Sequence, residues 1–214
     1  MKANILLFAA SGLLLAGGAT LRAEPGTNAC RPSCCSALPT AAGKLSNQSL
    51  YQLDSTWTND SGQAVKLESL RGRPQVVCMF FASCQYACPL LVQQMKQIEA
   101  DLPEKLRATV GFVLVSFDTE RDTPTALHAY RVQHDLAAGR WNLLRGNADD
   151  VLELAALLGV KFRKDAQGQF SHSNVLTVLN AEGEIAFQET GLSVPTKRVV
   201  ERLSQRAVLA PPSS

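Results

Sequence analysis

Two cysteines and one histidine in this chain have the types and positions that a soft metal ion requires. Cys84 and Cys88 are separated by three residues, one more than in the C-x-x-C motif of dithiol oxidoreductases. Two thiolates and one imidazole make a ligand set that suits copper in a three-coordinate or distorted site. The candidate imidazole is His172, which lies just before an apolar segment at residues 175–179. We therefore predict a copper site formed by these three residues.

The ionisation of the two thiols favours a metal site over a bare redox pair. With a reference pKa of about 8.5, only about 3% of a thiol is ionised at pH 7. Lowering that pKa to about 6.5 takes about 2.7 kcal/mol, whereas a helix N-terminus supplies about 0.3–1 kcal/mol and at most about 2 kcal/mol. A bound metal deprotonates its thiol ligands outright. A dithiol that exchanges disulfides is the alternative use of the same pair.

The segment around the cysteines is predicted to be a buried strand, a short loop and a helix. Residues 76–81 are an unbroken apolar run, rich in β-branched and aromatic side chains, which is typical of a central strand. Pro89 suits the first turn of a helix. Four apolar residues then recur at helical spacing, namely Leu91, Met95, Ile98 and Leu102. Cys88 is therefore expected at the N-terminus of this helix, with Cys84 in the loop before it.

The remaining segments predict an α/β protein. We expect a β-hairpin in 51–57 and 64–70, strands at 109–117, 141–144, 175–179 and 184–188, and helices at 123–136, 147–158 and 195–206. This order is that of a thioredoxin-like fold, in which helices flank a central mixed sheet, with an N-terminal hairpin and an inserted helix-strand segment. In such a sheet the loop before residues 175–179 faces the cysteine loop, at the strand ends where open α/β sheets place their sites.

Composition divides the chain into four segments. Residues 1–23 read as a signal peptide or an N-terminal anchor, with Lys2 ahead of a mostly apolar run. Residues 24–47 are rich in small and polar residues and are expected to form a flexible tether that contains cysteines. Residues 48–208 should form the thioredoxin-like copper-binding domain, and residues 209–214 a disordered tail. We therefore expect an exported, periplasmic protein, either soluble after signal cleavage or membrane-tethered by residues 1–23.

The charge of the chain argues against a nucleic-acid partner. The 21 basic and 19 acidic residues give a formal charge of +2, but removing Lys2 and Arg22 with residues 1–23 leaves 19 of each sign. Nucleic-acid-binding proteins usually carry a strongly basic surface. We therefore expect no nucleic-acid partner and no polybasic contact with a membrane.

Two histidines and one cysteine are expected to lie outside the site. His128 and His134 fall within the predicted helix 123–136, where a surface or core-edge position is the simplest interpretation. Cys78 falls inside the apolar run at 76–81, where it should be a small, buried and inert side chain.

Three further cysteines lie in the predicted tether. Cys30, Cys34 and Cys35 repeat the three-residue spacing of the main pair. Outside the cytoplasm, cysteines are either oxidised to disulfides or protected by a metal. Two interpretations stay open. The group forms a local disulfide with a spare thiol, or has no role; alternatively it is an auxiliary metal site that passes copper to Cys84 and Cys88.

Over roughly residues 50–205 the chain resembles the Sco/SenC group of copper-binding assembly factors for cytochrome c oxidase. The resemblance rests on four features in this order: Cys84-x-x-x-Cys88-Pro89; the run Asp118-Thr119-Glu120-Arg121-Asp122-Thr123-Pro124; Trp141 ahead of Leu144-Arg145-Gly146; and His172 followed by a strand and a turn at Gly183. It implies a thioredoxin-like fold and a copper site, for Cu(I), Cu(II) or both, at Cys84, Cys88 and His172.

The resemblance also implies a function, partners and supporting residues. The function is that of a copper metallochaperone that helps to assemble the copper centre of the oxidase. Its partners would be subunit II of cytochrome c oxidase or another copper acceptor, and a thioredoxin-like reductant. Asp118, Arg121 and Asp122 would brace the loop near the site. Gln85 and Tyr86 replace the proline and aspartate usual in the family, which is expected to loosen the loop and alter its redox poise or copper affinity.

Two enzyme-like alternatives use the same loop. One is a thiol:disulfide oxidoreductase that acts on exported cysteine pairs, including the copper-site cysteines of an oxidase subunit, with Cys84 and Cys88 as its redox-active pair. Replacing His172 would distinguish this function from that of a metallochaperone, because only copper retention should require the imidazole. The other is a peroxide-reducing relative, which is poorly supported because Phe81 stands where such a protein has a threonine.

Overall fold

The computed structural model describes residues 44–205 of the chain. Within that range the strands are β1 (Trp57–Asn59), β2 (Ala64–Val65), β3 (Gln75–Phe80), β4 (Gly111–Ser116), β5 (Trp141–Arg145), β6 (Phe162–Lys164), β7 (Phe170–His172), β8 (Val175–Leu179) and β9 (Ile185–Thr190). The α-helices are α1 (Ala87–Asp101), α2 (Glu104–Arg107), α3 (Pro124–Gln133), α4 (Ala148–Leu157) and α5 (Thr196–Leu203). The predicted α/β class is confirmed.

Seven of these strands form one mixed sheet in the order β2-β1-β5-β4-β3-β8-β9. The three strands β3, β4 and β5 run parallel, whereas β8 is antiparallel to β3 and β1 is antiparallel to β5. Every residue of β3 and β4 is buried, which explains why the sequence of each is almost continuously apolar. Strands β6 and β7 form a separate antiparallel ribbon.

Helices flank the sheet, and capping side chains fix where two of them begin. Thr123 accepts a hydrogen bond from the backbone of Ala126 at the start of α3, and Asn147 accepts one from Asp150 at the start of α4. Helix α1 packs against α5, and α3 packs against β1 and β5. No helix within residues 44–205 is both long enough and apolar enough to cross a bilayer.

The structure corrects three details of the sequence prediction. The N-terminal hairpin is shorter than expected, because 3₁₀ helices at Leu50–Gln52 and Leu67–Leu70 replace the outer ends of the predicted strands and bury their leucines. Helix α2 was not predicted. The β6–β7 ribbon was not predicted either, so His172 ends a short strand and does not lie in an irregular loop.

The topology brings three connecting segments to one edge of the sheet. The parallel strands β3 and β4 end at the same edge, so the cysteine loop and the loop from Phe117 to Thr123 lie side by side. Strand β8 runs antiparallel to β3, and its first residue, Val175, therefore also lies at this edge. The two residues between His172 and β8 keep that histidine close to the same place.

Several predicted features lie outside the described residues. These are the signal or anchor segment 1–23, most of the tether with Cys30, Cys34 and Cys35, and the tail at 209–214.

Candidate metal centre

The structure brings Cys84, Cys88 and His172 together. Their potential ligand atoms all lie within 4.8 Å of one another, and the Sγ atom of Cys88 is 3.8 Å from the Nε2 atom of His172. Donor atoms that share one ion at bond lengths of about 2.0–2.3 Å lie about 3–4 Å apart, so little rearrangement separates this cluster from a metal-binding geometry. Within residues 44–205 no other group of three histidine, cysteine or acidic side chains converges in this way.

The cysteine loop is a tight turn that ends in the first turn of α1. The backbone N–H of Cys84 donates to the Phe81 carbonyl at 3.2 Å, and the backbone N–H of Cys88 donates to the Cys84 sulfur at 3.3 Å. The side chain of Tyr86, the residue before the helix, does not cap α1. The Cys84 sulfur therefore accepts a hydrogen bond from one of the N–H groups that the first turn of the helix leaves free.

The two cysteines differ in their exposure. Cys88 is 0% exposed, whereas Cys84 is partly exposed. Burial raises the pKa of the Cys88 thiol strongly; the backbone of Phe81 opposes that rise by a hydrogen bond, and the neighbouring Cys84 adds to it. Cys88 is therefore a neutral thiol at pH 7 in the metal-free protein. A metal ion that binds here must displace its proton.

The hydrogen bonding of His172 leaves its Nε2 atom free to bind a metal. The Nδ1 atom lies 3.2 Å from the carbonyl oxygen of Ser173. A carbonyl can only accept, so Nδ1 carries the ring proton and Nε2 presents a lone pair towards Cys88. Metal-binding histidines commonly have this second hydrogen bond, which fixes the tautomer and the ring orientation.

Aromatic rings pack around the His172 imidazole. The ring centroid of Phe117 lies 5.2 Å from that of His172, and Phe81 meets the imidazole edge-on at 6.0 Å. Phe162 stacks on Phe117 at 5.0 Å, and Phe170 packs on both Phe81 and Phe117. These four residues, the aromatic cluster, restrict the imidazole and limit the access of water to it. The sequence analysis assigned none of them to the surroundings of His172, although Phe162 and Phe170 flank a turn signal at Asp165.

Asp122 supports the cysteine loop from the neighbouring segment. Its Oδ2 atom accepts the backbone N–H of Ala82 at 2.9 Å and the Ser116 hydroxyl at 2.5 Å. The carboxylate is 2% exposed, and burial raises its pKa above the ordinary value while the hydrogen bond from Ser116 lowers it in part. These contacts agree with the predicted bracing role.

Arg121 connects the same segment to the ribbon that carries His172. Its Nε atom donates to Asp118 at 2.5 Å, and its Nη2 atom donates to the carbonyl of Gly168 at 2.6 Å. The guanidinium also lies over the Phe170 ring, 5.9 Å from the ring centroid. The cysteine loop and the histidine ribbon are thus both anchored to residues 118–122.

The other histidines and Cys78 lie away from the cluster, as predicted. His128 is exposed and lies 3.7 Å from a carboxylate oxygen of Asp60, and His134 is half-buried beside Lys96. Cys78 is 2% exposed, and burial raises the pKa of its thiol to about 12. A thiol with that pKa is inert at neutral pH.

The comparisons with known proteins agree with this geometry. The SCO1/SenC family model matches residues 44–206. The chain belongs to the SCO1/SenC family. It is 27% identical over 143 residues to the SCO1 protein homolog of Bacillus subtilis (strain 168), an alignment that covers 64% of this chain and 72% of the homolog.

Solved structures of the family share its fold. The SCO1/SenC family lipoprotein from Bacillus anthracis str. Ames superposes with a TM-score of 0.67 at 23% identity, over 77% of this chain and 98% of the other. The ScoI protein of Bradyrhizobium japonicum, solved with copper bound, gives a TM-score of 0.61 at 20% identity, over 72% of this chain and 97% of the other. These likenesses confirm the predicted thioredoxin-like fold.

Proposed function

We propose that this SCO1/SenC protein binds copper through Cys84, Cys88 and His172 and passes it to a protein acceptor. The observation that carries the proposal is the convergence of the three donor atoms within 4.8 Å, with the lone pair of His172 facing the thiols. The copper-bound state of the Bradyrhizobium japonicum relative supports the same metal for this family member.

The chemistry of the donor set fits copper. Thiolates are soft ligands that select copper, zinc and iron–sulfur centres over hard cations such as magnesium or calcium. Three donors with one partly exposed cysteine leave a side from which an acceptor thiolate can approach. Copper that binds here displaces the proton of Cys88, so binding releases protons and requires both cysteines to be reduced.

The proposal also includes an acceptor and a compartment. Membership of SCO1/SenC supports the copper centre of cytochrome c oxidase, in subunit II, as the destination, with another exported copper protein as the alternative. Residues 1–23 would place the protein in the periplasm, either soluble or membrane-tethered. A thioredoxin-like reductant would be needed there to keep Cys84 and Cys88 reduced between rounds of binding.

The test compares His172→Ala with His134→Ala, which removes a half-buried imidazole outside the cluster. Copper per protein and sulfur-to-Cu(II) charge-transfer absorbance are measured after dialysis against a competing chelator. We expect His172→Ala to lose copper affinity by at least about 100-fold, Cys84→Ala to lose the charge-transfer bands, and His134→Ala to behave as wild type. If His172→Ala retains copper as tightly as wild type, the proposal is wrong.

A second candidate is a thiol:disulfide oxidoreductase, which the unequal exposure of the cysteines favours. The partly exposed Cys84 would attack a partner's disulfide as a thiolate, forming a mixed disulfide and releasing one partner thiolate. The buried Cys88 would then displace the second partner thiolate, so that the partner is reduced and Cys84–Cys88 is oxidised. Reductase turnover that survives in His172→Ala and is lost in Cys84→Ala would support this function.

A further inference from the structure

The β6–β7 ribbon, which carries His172, has one face that belongs to the proposed copper site. Its register pairs Phe162 with His172 and Lys164 with Phe170. Phe162 and Phe170 are part of the aromatic cluster, and the ammonium group of Lys164 lies 5.8 Å from the centroid of the Phe170 ring. Because side chains alternate between the two faces of a strand, the residues between these pairs point away from the aromatic cluster.

The opposite face of the ribbon carries two cations and two hydroxyl groups. Arg163 pairs with Ser171 in the register of the ribbon. Lys161 continues this face, because its backbone N–H donates to the Ser173 hydroxyl at 2.9 Å and its carbonyl accepts the Ser173 N–H at 2.8 Å. The two cations are alternate residues of one extended segment, so their backbones are about 6–7 Å apart. We call these four residues, Lys161, Arg163, Ser171 and Ser173, the cationic face.

The charges of Lys161 and Arg163 are not neutralised by an acid within residues 44–205. Both side chains are exposed, and neither makes an ion pair or a hydrogen bond in that part of the chain. Lys164, on the other face, is different because it pairs with Glu120 at 2.6 Å. Asp165 follows β6 in the chain, but its carboxylate is held in the turn, where it accepts two backbone N–H groups.

An open cleft of about 300 Å³ joins the cationic face to the metal ligand His172. It is lined by Lys161, Phe162, Arg163, Ser171, His172 and Ser173. A Cu(I) ion held by two thiolates leaves a net negative charge, and an acceptor with ionised thiols is negative as well. Uncompensated cations beside the histidine therefore favour the encounter of two groups that would otherwise repel each other.

We propose that the cationic face is the docking site for an acidic segment of the protein that receives the copper. The proposal rests on the proposed copper-binding function. Carboxylates at alternate positions of an extended segment are also about 6–7 Å apart, so that each can meet one cation. The Arg163 guanidinium can hold a carboxylate through two parallel hydrogen bonds, and the hydroxyl of Ser171, directly opposite, can donate another. Docking here brings the acceptor to the ribbon that holds His172.

The test uses a short synthetic peptide with a C-x-x-x-C pair and glutamates at alternate positions beside it, and a matched peptide with glutamines at those positions. Binding of each reduced peptide to the metal-free, full-length protein is measured by fluorescence anisotropy. Transfer of copper from the Cu(I)-loaded protein to each peptide is followed in parallel. Vesicles that contain phosphatidylglycerol are a further probe, because a lipid surface is another source of negative charge.

The variant is Lys161→Gln with Arg163→Gln, and its matched control is Lys44→Gln with Lys105→Gln. The control removes the same charge from two exposed positions. Lys105 lies in α2, ahead of the first residue of β4, and therefore at the sheet edge opposite to the cysteine loop. Lys44 precedes the segment whose Leu50 N–H donates to the Gly183 carbonyl, at the same opposite edge.

At low salt we expect the Lys161→Gln, Arg163→Gln variant to bind the glutamate peptide about 5-fold more weakly than wild type, the effect of losing two exposed ion pairs. Copper transfer to that peptide should slow by a similar factor, and both differences should vanish at about 1 M salt. Copper affinity should equal that of wild type, because no ligand has changed. The control variant should behave as wild type. Lys161→Glu with Arg163→Glu should reverse the preference and favour a peptide with lysines in place of the glutamates.

Four outcomes would overturn the docking site. They are an unchanged affinity and transfer rate in the Lys161→Gln, Arg163→Gln variant, an equal loss in the control variant, equal binding of the glutamate and glutamine peptides, and loss of vesicle binding without any preference for the glutamate peptide. The last would make the face a membrane contact. Failure of the copper function is read separately, since it appears as wild-type protein that retains no copper.

Discussion

The carboxylate of Asp122 holds the backbone of Ala82, the residue two positions before Cys84, although the two are 40 residues apart in the chain. The Oδ2 atom accepts the Ala82 N–H at 2.9 Å and also accepts the Ser116 hydroxyl at 2.5 Å, so one oxygen ties β4 to the start of the cysteine loop. A loop that lacks the usual proline and has Gln85 in its place is therefore restrained by a neighbouring segment.

Replacing Asp122 tests this restraint. Asp122→Ala leaves the Ala82 N–H and the Ser116 hydroxyl without their shared acceptor, and we expect it to lower the free energy of unfolding by about 2 kcal/mol. Asp122→Asn is the matched control, since its amide oxygen can accept both bonds. We expect copper affinity to fall several-fold in the alanine variant and to stay near wild type in the asparagine variant. If the two variants bind copper with equal affinity, the restraint by Asp122 does not affect copper binding.

The charge of Asp122 should also produce a pH dependence of stability. Burial raises the pKa of this carboxyl in the folded protein, so the folded state binds the proton more tightly than the unfolded state does. The resulting stabilisation is complete below the unfolded pKa of about 3.9 and is lost as the pH rises through the higher folded value. Relative to Asp122→Asn, wild type should therefore lose stability as the pH rises from about 4 towards neutral. Urea unfolding at several pH values measures this difference, and a constant difference would contradict it.

Phe117 should affect copper binding through the orientation of the His172 imidazole, whose ring lies 5.2 Å away. Phe117→Leu removes the aromatic contact, and we expect about 1 kcal/mol of destabilisation together with a several-fold loss of copper affinity. Phe112→Leu is the control, because Phe112 is equally buried but stacks on Trp141 at 4.7 Å. Titrations in which each variant competes with a chelator for copper measure the two copper affinities. If both lose affinity equally, the effect is one of general stability and not of the imidazole.

The central part of the fold could be predicted because its signals are local. The apolar runs of β3 and β4 and the helical spacing in α1 reflect complete burial of those segments. The β6–β7 ribbon escaped prediction because its strands are only three residues long and β6 contains two exposed charged residues, Arg163 and Lys164. Only Phe162, Phe170 and a turn at Asp165, whose carboxylate accepts two backbone N–H groups, mark it in the sequence.

The site could be predicted only in part, because only some of its signals are local. The spacing of Cys84 and Cys88 is local, whereas the approach of His172 to Cys88 joins residues 84 positions apart and depends on the topology of the sheet. That contact could be expected only from the fold and the family resemblance. The restraint by Asp122 depends on its contacts with Ser116 of β4 and Ala82 of the loop, which no pattern along the chain records.

Cys78 provides a control for the thiol chemistry. It lies in β3 between Val77 and Met79 and is 2% exposed. We expect Cys78→Ala to leave copper stoichiometry and affinity unchanged and to lower the free energy of unfolding by about 1 kcal/mol, since it removes only one buried sulfur. Thiol titration of the folded protein should give the same count as wild type, because a buried thiol with a pKa of about 12 does not react. A lower count would mean that Cys78 is accessible.

The tether cysteines Cys30, Cys34 and Cys35 lie outside the described residues, and we propose that they form an auxiliary site that captures copper and passes it to Cys84 and Cys88. Three thiols at this spacing can supply a soft ligand set without help from the folded domain. Changing all three to serine should lower the copper bound per reduced protein and slow the loading of the main site from a dilute copper donor, while the sulfur-to-copper bands of Cys84 and Cys88 keep their positions. The control is Cys78→Ala, which removes a buried cysteine outside both groups and should behave as wild type. Unchanged stoichiometry and loading rate would leave these cysteines as a local disulfide with a spare thiol.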